Sequence, residues 1–209
     1  MKYTCRIIFS HAFLILALLN GLSAQPWNFV KEKDGIKLYT RNELKSSLKS
    51  TKGEAIFHAP IEKVFSLLAK VNNTDWWDKD ISEIKVLSYK ENIYIQYYII
   101  YDMPWPFTDR DLVIESRISA DPVTGDRTIF TKTLPNTIPE KPDLVRIGNY
   151  WQKWTVQPMD QGYVHVVLEG FVDPGGNLPA GLYNMIVTES PLKTIRSLRN
   201  RAMSDKRVN

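Results

Sequence analysis

Residues that could act in acid/base or nucleophilic catalysis are sparse in this chain. Beyond residue 24 the histidines are His58 and His165, which fall on separate predicted strands with no nucleophile beside them. His165 and Glu169 would share one strand face and could form an acid/base pair. The chain has no Gly-x-Ser-x-Gly, no His-Glu-x-x-His and no phosphate-binding glycine loop. Because a single strand histidine is usually structural, the pattern argues against an enzyme.

The first 24 residues carry the pattern of a secretory signal. Lys2 and Arg6 precede an apolar run over residues 12–19, and small residues lead up to Ala24. The run is shorter than the ~20 apolar residues that span a bilayer, which disfavours an uncleaved anchor. We expect a signal peptide at residues 1–24, cleaved near Ala24, and an exported protein that is periplasmic or secreted. Retention of the segment as an anchor is the alternative.

Composition excludes several classes of protein. The only cysteine, Cys5, lies within the predicted signal, so the rest of the chain has no disulfide framework and no thiolate zinc site. We predict no metal and no cofactor. The net charge of +4, from 27 basic and 23 acidic residues, is too balanced for a nucleic-acid-binding protein. Residues 25–209 show no repeat, low-complexity tract or linker, which favours a single domain.

Hydrophobic periodicity predicts a helix, then an antiparallel sheet, then a second helix. Pro60 opens a segment with apolar residues at helical spacing, and the same spacing recurs over the longer stretch 178–203. Between them, aromatic and β-branched stretches alternate with short glycine-containing turns, which favour hairpins. The predicted strands are residues 81–89, 93–101, 112–120, 127–134, 144–156 and 163–172. An antiparallel sheet covered by a long helix indicates the α+β class.

Two of these strands carry an apolar face that we expect to point inward. The odd positions of residues 93–101 are uniformly apolar or aromatic, and the even positions from 112 to 118 continue this face on the next strand. Tyr97, Tyr101 and Ser116 interrupt it with hydroxyls, which need partners from each other, from water or from a ligand. The pattern alone is compatible with a filled core and with a ligand cavity.

Residues 102–112, Asp-Met-Pro-Trp-Pro-Phe-Thr-Asp-Arg-Asp-Leu, combine aromatic, proline and charge in an order that no packing rule requires. The two prolines end the preceding strand. Arg110, between two aspartates, either forms a local ion pair that fixes a turn or contributes to a site. A second marker is Asp-Pro-Gly-Gly-Asn-Leu-Pro at residues 173–179, and weaker ones are Trp77-Asp78 and residues 84–87. Together these motifs resemble the START domains, the lipid-transfer domains related to the steroidogenic acute regulatory protein.

The resemblance implies the helix-grip fold, a curved antiparallel sheet wrapped around a long C-terminal helix with an internal hydrophobic tunnel. Residues 25–209 would form one START-like domain that binds or transfers a lipid held in that tunnel. The link 135–142, with Ile138, would face the C-terminal helix as a movable gate, or be an ordinary surface loop. Candidate ligand-binding residues are Ile95, Tyr97, Ile99, Tyr101, Trp105, Arg110, Ile114, Ser116, Ile118, Ile138, Trp151, Leu182, Met185 and Ile186.

The identity of the lipid stays open between phospholipid, fatty acid and sterol-like molecules. Sterol-binding members of the family carry a buried acid and arginine pair where this chain has Tyr97 and Ser116, which argues against a sterol held in that manner. Basic residues of the last helix could make transient contact with a membrane surface or simply be solvated. We expect no nucleic-acid partner. The alternative function is a helix-grip enzyme, a cyclase or hydrolase, acting on a hydrophobic substrate in the same tunnel.

Overall fold

The computed structural model describes residues 25–44, 46–77, 79–134 and 136–204. The predicted signal at residues 1–24, Asp78 and Pro135 lie outside the described residues. Two α-helices are present in the described part, α1 (Ile61–Ala69) and α2 (Ala180–Met203). The strands are β1 Asn28–Lys33, β2 Ile36–Asn42, β3 Lys49–His58, β4 Ile81–Lys90, β5 Tyr94–Tyr101, β6 Arg110–Ala120, β7 Arg127–Thr133, β8 Val145–Arg146, β9 Asn149–Pro158 and β10 Tyr163–Asp173.

The strands form one curved sheet in the order β1-β2-β3-β10-β9-β7-β6-β5-β4. Neighbours along this path are antiparallel, and the two residues of β8 pair in parallel with the start of β6. Short turns join most sequential neighbours, as the predicted hairpins require. The predicted α+β helix-grip arrangement, with the C-terminal helix on one face of the sheet, is therefore confirmed.

The predicted order of helix first was wrong, because three strands precede α1. The buried positions of β3 include Ser50, Thr51, Gly53 and Ala55, which are small or polar, so this strand lacks the apolar alternation of the later strands. Gly53 of β3 shows the physical reason. A Cβ at this position would lie 2.7 Å from Pro191 Cβ and 2.8 Å from Ile195 Cδ1, so the close approach of α2 requires glycine there. The predicted strand 144–156 is also divided, into β8 and β9.

The face of the sheet that packs against the helices, here called the inner face, carries the main core. α1 begins after Pro60 and buries Val64, Phe65 and Leu67, as its amphipathic pattern predicts. α2 packs mainly on β2, β3, β10 and α1, and buries Ile195 and Leu198 completely. Burial of side chains of this size contributes about 1.5–3 kcal/mol each. The second half of α2 is thus a structural element of the core.

None of the helices in the described residues is both long enough and apolar enough to cross a membrane.

Candidate functional site

The inner face of the sheet carries two separate groups of buried apolar side chains. The first cluster joins α1 and α2 to β2, β3, β9 and β10, and includes Ile36, Val166 and Leu198. The second cluster lies on β5, β6 and the β8–β9 link. It consists of Ile95, Tyr97, Ile99, Leu112, Ile114 and Ile147. No described residue of α2 belongs to the second cluster, so the helix covers only one of the two.

Several half-buried side chains border the second cluster on the side that faces the helix. Trp77 and Ile118 touch both clusters, and Tyr101, Tyr150 and Val172 pack against the second one without being fully enclosed. The region between the second cluster and the first half of α2 is here called the inner space. The side chains that border it are apolar and aromatic, which suits a hydrophobic ligand.

The hydroxyl groups on this inner face are mostly bonded to the protein. Tyr97 donates to the Val71 carbonyl at 3.2 Å, and burial raises the pKa of Tyr97 to about 12. Tyr183, on the first turn of α2, donates to the Val172 carbonyl at 2.7 Å. The Ser116 hydroxyl lies 2.8 Å from that of Thr131. These pairs satisfy hydroxyls that would otherwise be buried without partners.

Tyr150 has no such partner among the described residues, and the sequence analysis did not select it. It lies four residues before Trp154 on the regular strand β9, so the two side chains share the inner face. Burial raises the pKa of the Tyr150 phenol strongly, with no hydrogen bond among the causes. The sequence could have indicated Tyr150, because it lies an even number of residues from Trp154 on the same strand.

Arg110 occupies the first position of β6 and is almost fully buried. Its Nε donates to the Pro174 carbonyl at 3.4 Å, and Nη1 donates to the Thr108 carbonyl. Burial lowers the pKa of this guanidinium, while the negative charge of Asp109 opposes the shift. Arg110 therefore ties the loop before β6 to the turn before α2.

The flanking Asp109 and Asp111 do not form the predicted local ion pair with Arg110. Asp109 accepts a hydrogen bond from the Met103 backbone N–H at 2.8 Å. Asp111 points to the opposite, outer face, where Arg146 Nε and Nη2 donate to it at 2.7 and 2.9 Å and the Tyr98 hydroxyl donates at 3.0 Å. Burial alone would raise the pKa of Asp111, but the bonds from Arg146 and Tyr98 outweigh it and lower that pKa.

This ion pair also places the predicted gate. Arg146 Nη1 and Nη2 donate to the carbonyls of Ile138 and Pro139 at 3.0 and 3.2 Å, and the Lys141 ammonium lies 4.9 Å from the ring centroid of Tyr98. The link is therefore bonded through Arg146 to Asp111 of β6, and Ile138 is half-buried. The expectation that it faces the C-terminal helix stays a prediction.

Of the other predicted site residues, those on β5 and β6 are where the strand alternation placed them. Ile95, Tyr97, Ile99 and Ile114 are buried in the second cluster, and Tyr101, Ser116 and Ile118 are half-buried beside it. These seven side chains share the inner face, because each lies at the predicted parity.

The two tryptophans expected near the tunnel lie elsewhere. Trp105 is 92% exposed on the loop between β5 and β6, since the prolines on either side hold it away from the strands. Trp151 pairs with Phe171 on the outer face, because it is three residues from the inward Trp154. It borders a surface cleft of about 300 Å³ with Glu43 and Asp173, which is separate from the inner space.

The predicted residues of α2 lie in its first half. The buried positions of this helix run from Tyr183 through Leu192 to Leu198. Met185 lies seven residues before Leu192 and therefore on the same side of the helix, while Ile186 lies away from these positions. Met185 and Ile186 are 66% and 51% exposed, and Leu182 is half-buried. The expectation that these three line the tunnel stays a prediction.

A family model for the START domain matches residues 8–206. The chain belongs to the START domain family. An uncharacterized protein of Pseudomonas aeruginosa is 30% identical over 193 residues, which cover 91% of this chain and 94% of that protein. Phosphatidylcholine transfer protein of Rattus norvegicus is 26% identical over 78% of each chain.

Solved structures agree with this START assignment. A STAR-related lipid transfer protein fragment from Xanthomonas axonopodis aligns with a TM-score of 0.77 at 29% identity, over 85% of this chain and 99% of that one. Human StAR-related lipid transfer protein 5 aligns with a TM-score of 0.74 over 91% and 92%, and its 16% identity supports the fold alone. Membership in this family supports a lipid-binding role for the chain.

The acid/base pair considered for an enzyme has a different environment in this START domain. His165 Nδ1 lies 2.9 Å from Gln157 Oε1, and Nε2 lies 3.9 Å from a Glu54 oxygen. Glu169 is paired in register with Lys52 and Lys153. All six lie on the outer face, away from the inner space. Within the described part of the chain, no group of three or more His, Cys, Asp or Glu side chains is arranged to hold a metal ion.

Proposed function

We propose that this START domain is an exported lipid carrier that holds its ligand between the second cluster and the first half of α2. One observation carries the proposal. An apolar wall centred on Ile99 and Ile114 faces the interior but has no packing partner from the helix that closes the rest of the core. A hydrophobic ligand would complete this packing.

The energetics suit a lipid better than a small polar metabolite. Each CH₂ transferred from water into an apolar space contributes roughly 0.8 kcal/mol. An acyl or isoprenoid chain enclosed by these strands would therefore be stabilised about as well as in a bilayer. Such a balance allows a carrier both to take up its ligand and to release it.

Loading requires contact with a membrane surface, and the first half of α2 supports such contact. Met185 and Ile186 expose apolar surface there, beside the half-buried Leu182. Trp105 is exposed on a separate loop, and tryptophan favours the interface between water and lipid. We propose apolar insertion as the main contribution to this contact.

The basic residues of α2 are less suited to this role than their number suggests. Arg196 and Arg199 bind the Asp34 carboxylate and carbonyl at 2.5 and 2.7 Å, and Arg201 lies 2.9 Å from Asp75. Paired charges attract an anionic surface weakly. Lys206 and Arg207 lie outside the described residues.

Export rests on the pattern of residues 1–24, and the family match begins within that segment at residue 8. N-terminal sequencing of the protein recovered from cell fractions tests it. A start near Gln25 in the extracytoplasmic fraction supports export with cleavage. An intact Met1 in the cytosol would contradict it, and an intact chain in the membrane fraction would indicate a retained anchor.

The carrier proposal is tested by native mass spectrometry of the purified protein, followed by extraction and identification of bound lipid. One lipid per chain, exchangeable with labelled lipid in vesicles, supports a carrier. A mass without lipid that is unchanged after incubation with mixed vesicles would contradict it. Conversion of a bound molecule into a product during incubation would instead support the alternative of an enzyme.

A further inference from the structure

Tyr150 is half-buried, and no described residue forms a hydrogen bond with its hydroxyl. Burial is the cause of its raised pKa. Among the described residues, the side-chain nitrogen and oxygen atoms that are fully buried and have no hydrogen-bond partner are Nε of Arg196 and Nε of Arg201. The Tyr150 oxygen is not one of them, so it borders a space that admits at least a water-sized molecule.

The position of Tyr150 places this hydroxyl under the first turns of α2. Tyr150 pairs in register with Val172, and the Val172 carbonyl accepts the hydroxyl of Tyr183. Burial raises the pKa of Tyr183, and the charges of Asp173 and Tyr150 raise it further, so both groups lie near Tyr183. Tyr150 contacts the second cluster from the same side. Its hydroxyl therefore faces the inner space rather than the outer surface.

The other polar groups around this space are already bonded. Tyr97 and Tyr183 donate to backbone carbonyls, and Ser116 is bonded to Thr131. Arg110, the buried cation at the edge of the inner face, donates to two carbonyls. The side chains that pack around the second cluster are apolar or aromatic, and the charge that acts most strongly on the neighbouring Tyr183 is the carboxylate of Asp173, which would repel an anion. A phosphate or carboxylate placed beside Tyr150 would therefore be a buried charge without a counter-charge, which is strongly unfavourable.

We propose that Tyr150 donates a hydrogen bond to the single uncharged oxygen of a neutral lipid, such as an alcohol, a ketone or an ester carbonyl, whose remainder lies against the second cluster. This inference rests on the proposed lipid-binding function and specifies the ligand class for that site. One donor in an apolar wall selects for one acceptor, because an unmatched acceptor loses its hydrogen bonds to water on entry.

Two probes that differ only in one oxygen test the inference. The purified protein is incubated separately with 1-octadecanol and with octadecane, each carried in dioleoylphosphatidylcholine vesicles, and retention is measured by native mass spectrometry. Oleate at pH 7.4 and the vesicle phospholipid itself report on charged ligands. We expect the wild-type protein to retain octadecanol about tenfold better than octadecane, which is the effect of one hydrogen bond.

Tyr150→Phe keeps the ring and removes the donor, so it should bring the two retentions within about twofold of each other. Tyr97→Phe is the matched control, since it removes a hydroxyl from the same wall that is already bonded to the protein. It should leave the alcohol preference unchanged. The wild-type comparison needs no variant, so the inference stays testable if Tyr150→Phe does not fold.

The outcomes separate the inference from the proposed function. Retention of both probes without preference, an unchanged preference in Tyr150→Phe, or a loss of preference in Tyr97→Phe would overturn the role of Tyr150 while lipid binding stands. Preferential retention of oleate or of phosphatidylcholine would do the same. If no probe and no vesicle lipid is retained, both the inference and the carrier proposal are wrong.

Discussion

The two apolar clusters of the inner face differ in what covers them. The first is closed by the second half of α2, with Ile195 and Leu198 fully enclosed, and Gly53 lets the helix approach the sheet there. The second faces the first half of α2, whose contacts are polar and few. They include the Tyr183 bond to Val172 and the pair of Lys31 and Glu189 at 2.5 Å. Asn184 also donates to the Ser47 carbonyl and accepts from the Lys49 backbone N–H at the start of β3.

Because of this difference, the second half of α2 contributes to the stability of the domain, and the first half controls access of a ligand to the second cluster. Side chains from α1, from α2 and from the sheet pack together in the first cluster, so its contacts are the ones that stabilise the domain. The second cluster lies on strands that are stabilised from the opposite, outer face of the sheet by the ion pair of Asp111 and Arg146. The half of α2 over it can move without disrupting the main core, because Pro191 interrupts the helical hydrogen bonds between the two halves.

The largest effect is expected when the charge of Asp111, on the outer face opposite the second cluster, is removed. Asp111→Asn leaves Arg146 buried without its partner, which should lower the free energy of unfolding by about 3–5 kcal/mol in urea titrations. The folded-state pKa of Asp111 is lowered, so its contribution is complete above about pH 5 and is lost as pH falls through the folded pKa. The wild-type stability should therefore decline more steeply below about pH 4 than that of Asp111→Asn. Parallel pH profiles for the two proteins would contradict this.

A cavity in the first cluster should have the next largest effect. Ile195→Ala removes a completely enclosed side chain and should cost about 2–5 kcal/mol of unfolding free energy. Met185→Ala, at an exposed position on the same helix, serves as the control and should change stability by less than about 0.5 kcal/mol. Similar losses in the two variants would mean that the first half of α2 is as firmly packed as the second.

Enlarging one residue in each cluster compares their packing directly. Val166 and Val172 lie on the same face of β10, in the first cluster and beside the second. Val166→Phe should overpack the core and lower the unfolding free energy by about 1–3 kcal/mol. Val172→Phe should leave stability within about 0.5 kcal/mol and lower the amount of lipid that copurifies. Equal destabilisation by the two substitutions would show that the second cluster is filled.

The smallest effect on stability is expected for charge on the outward side of α2. Ile186→Glu should leave the unfolding free energy within about 0.5 kcal/mol but weaken partition onto zwitterionic vesicles by about tenfold. Ile56→Glu, at a similarly exposed position on β3, is the matched control and should leave partition unchanged. If both variants lose partition equally, the contact is not localised on α2.

Much of the fold was predictable because local patterns agree with it. Residues 93–101 and 112–118 alternate clearly, and both strands turned the predicted side chains inward. β3 was missed in part because its inward positions include Gly53, which leaves room for the close approach of α2. That requirement comes from an element more than a hundred residues later in the chain, so no local pattern carries it.

The site was predictable only in part. Side chains on regular strands follow parity, which placed Ile95, Ile99 and Ile114 on the inner face. Parity also separates Trp151 from Trp154 and Tyr150, but it does not say which of the two faces is the inner one. Loop residues have no such rule, and Trp105 was misplaced for that reason. On α2 the apolar residues Met185 and Ile186 resemble core positions, although both are exposed.

The sequence by itself determined the family, the alternation of the central strands and the amphipathic character of both helices, because each of these depends on neighbouring residues. Only the tertiary structure decided that Asp111 pairs with Arg146 rather than with Arg110. It also decided that α2 covers the first cluster and leaves the second accessible, and that the Tyr150 hydroxyl has no partner among the described residues. The physical reason is the same in all three cases. Which groups meet depends on contacts between distant parts of the chain, and local periodicity does not contain them.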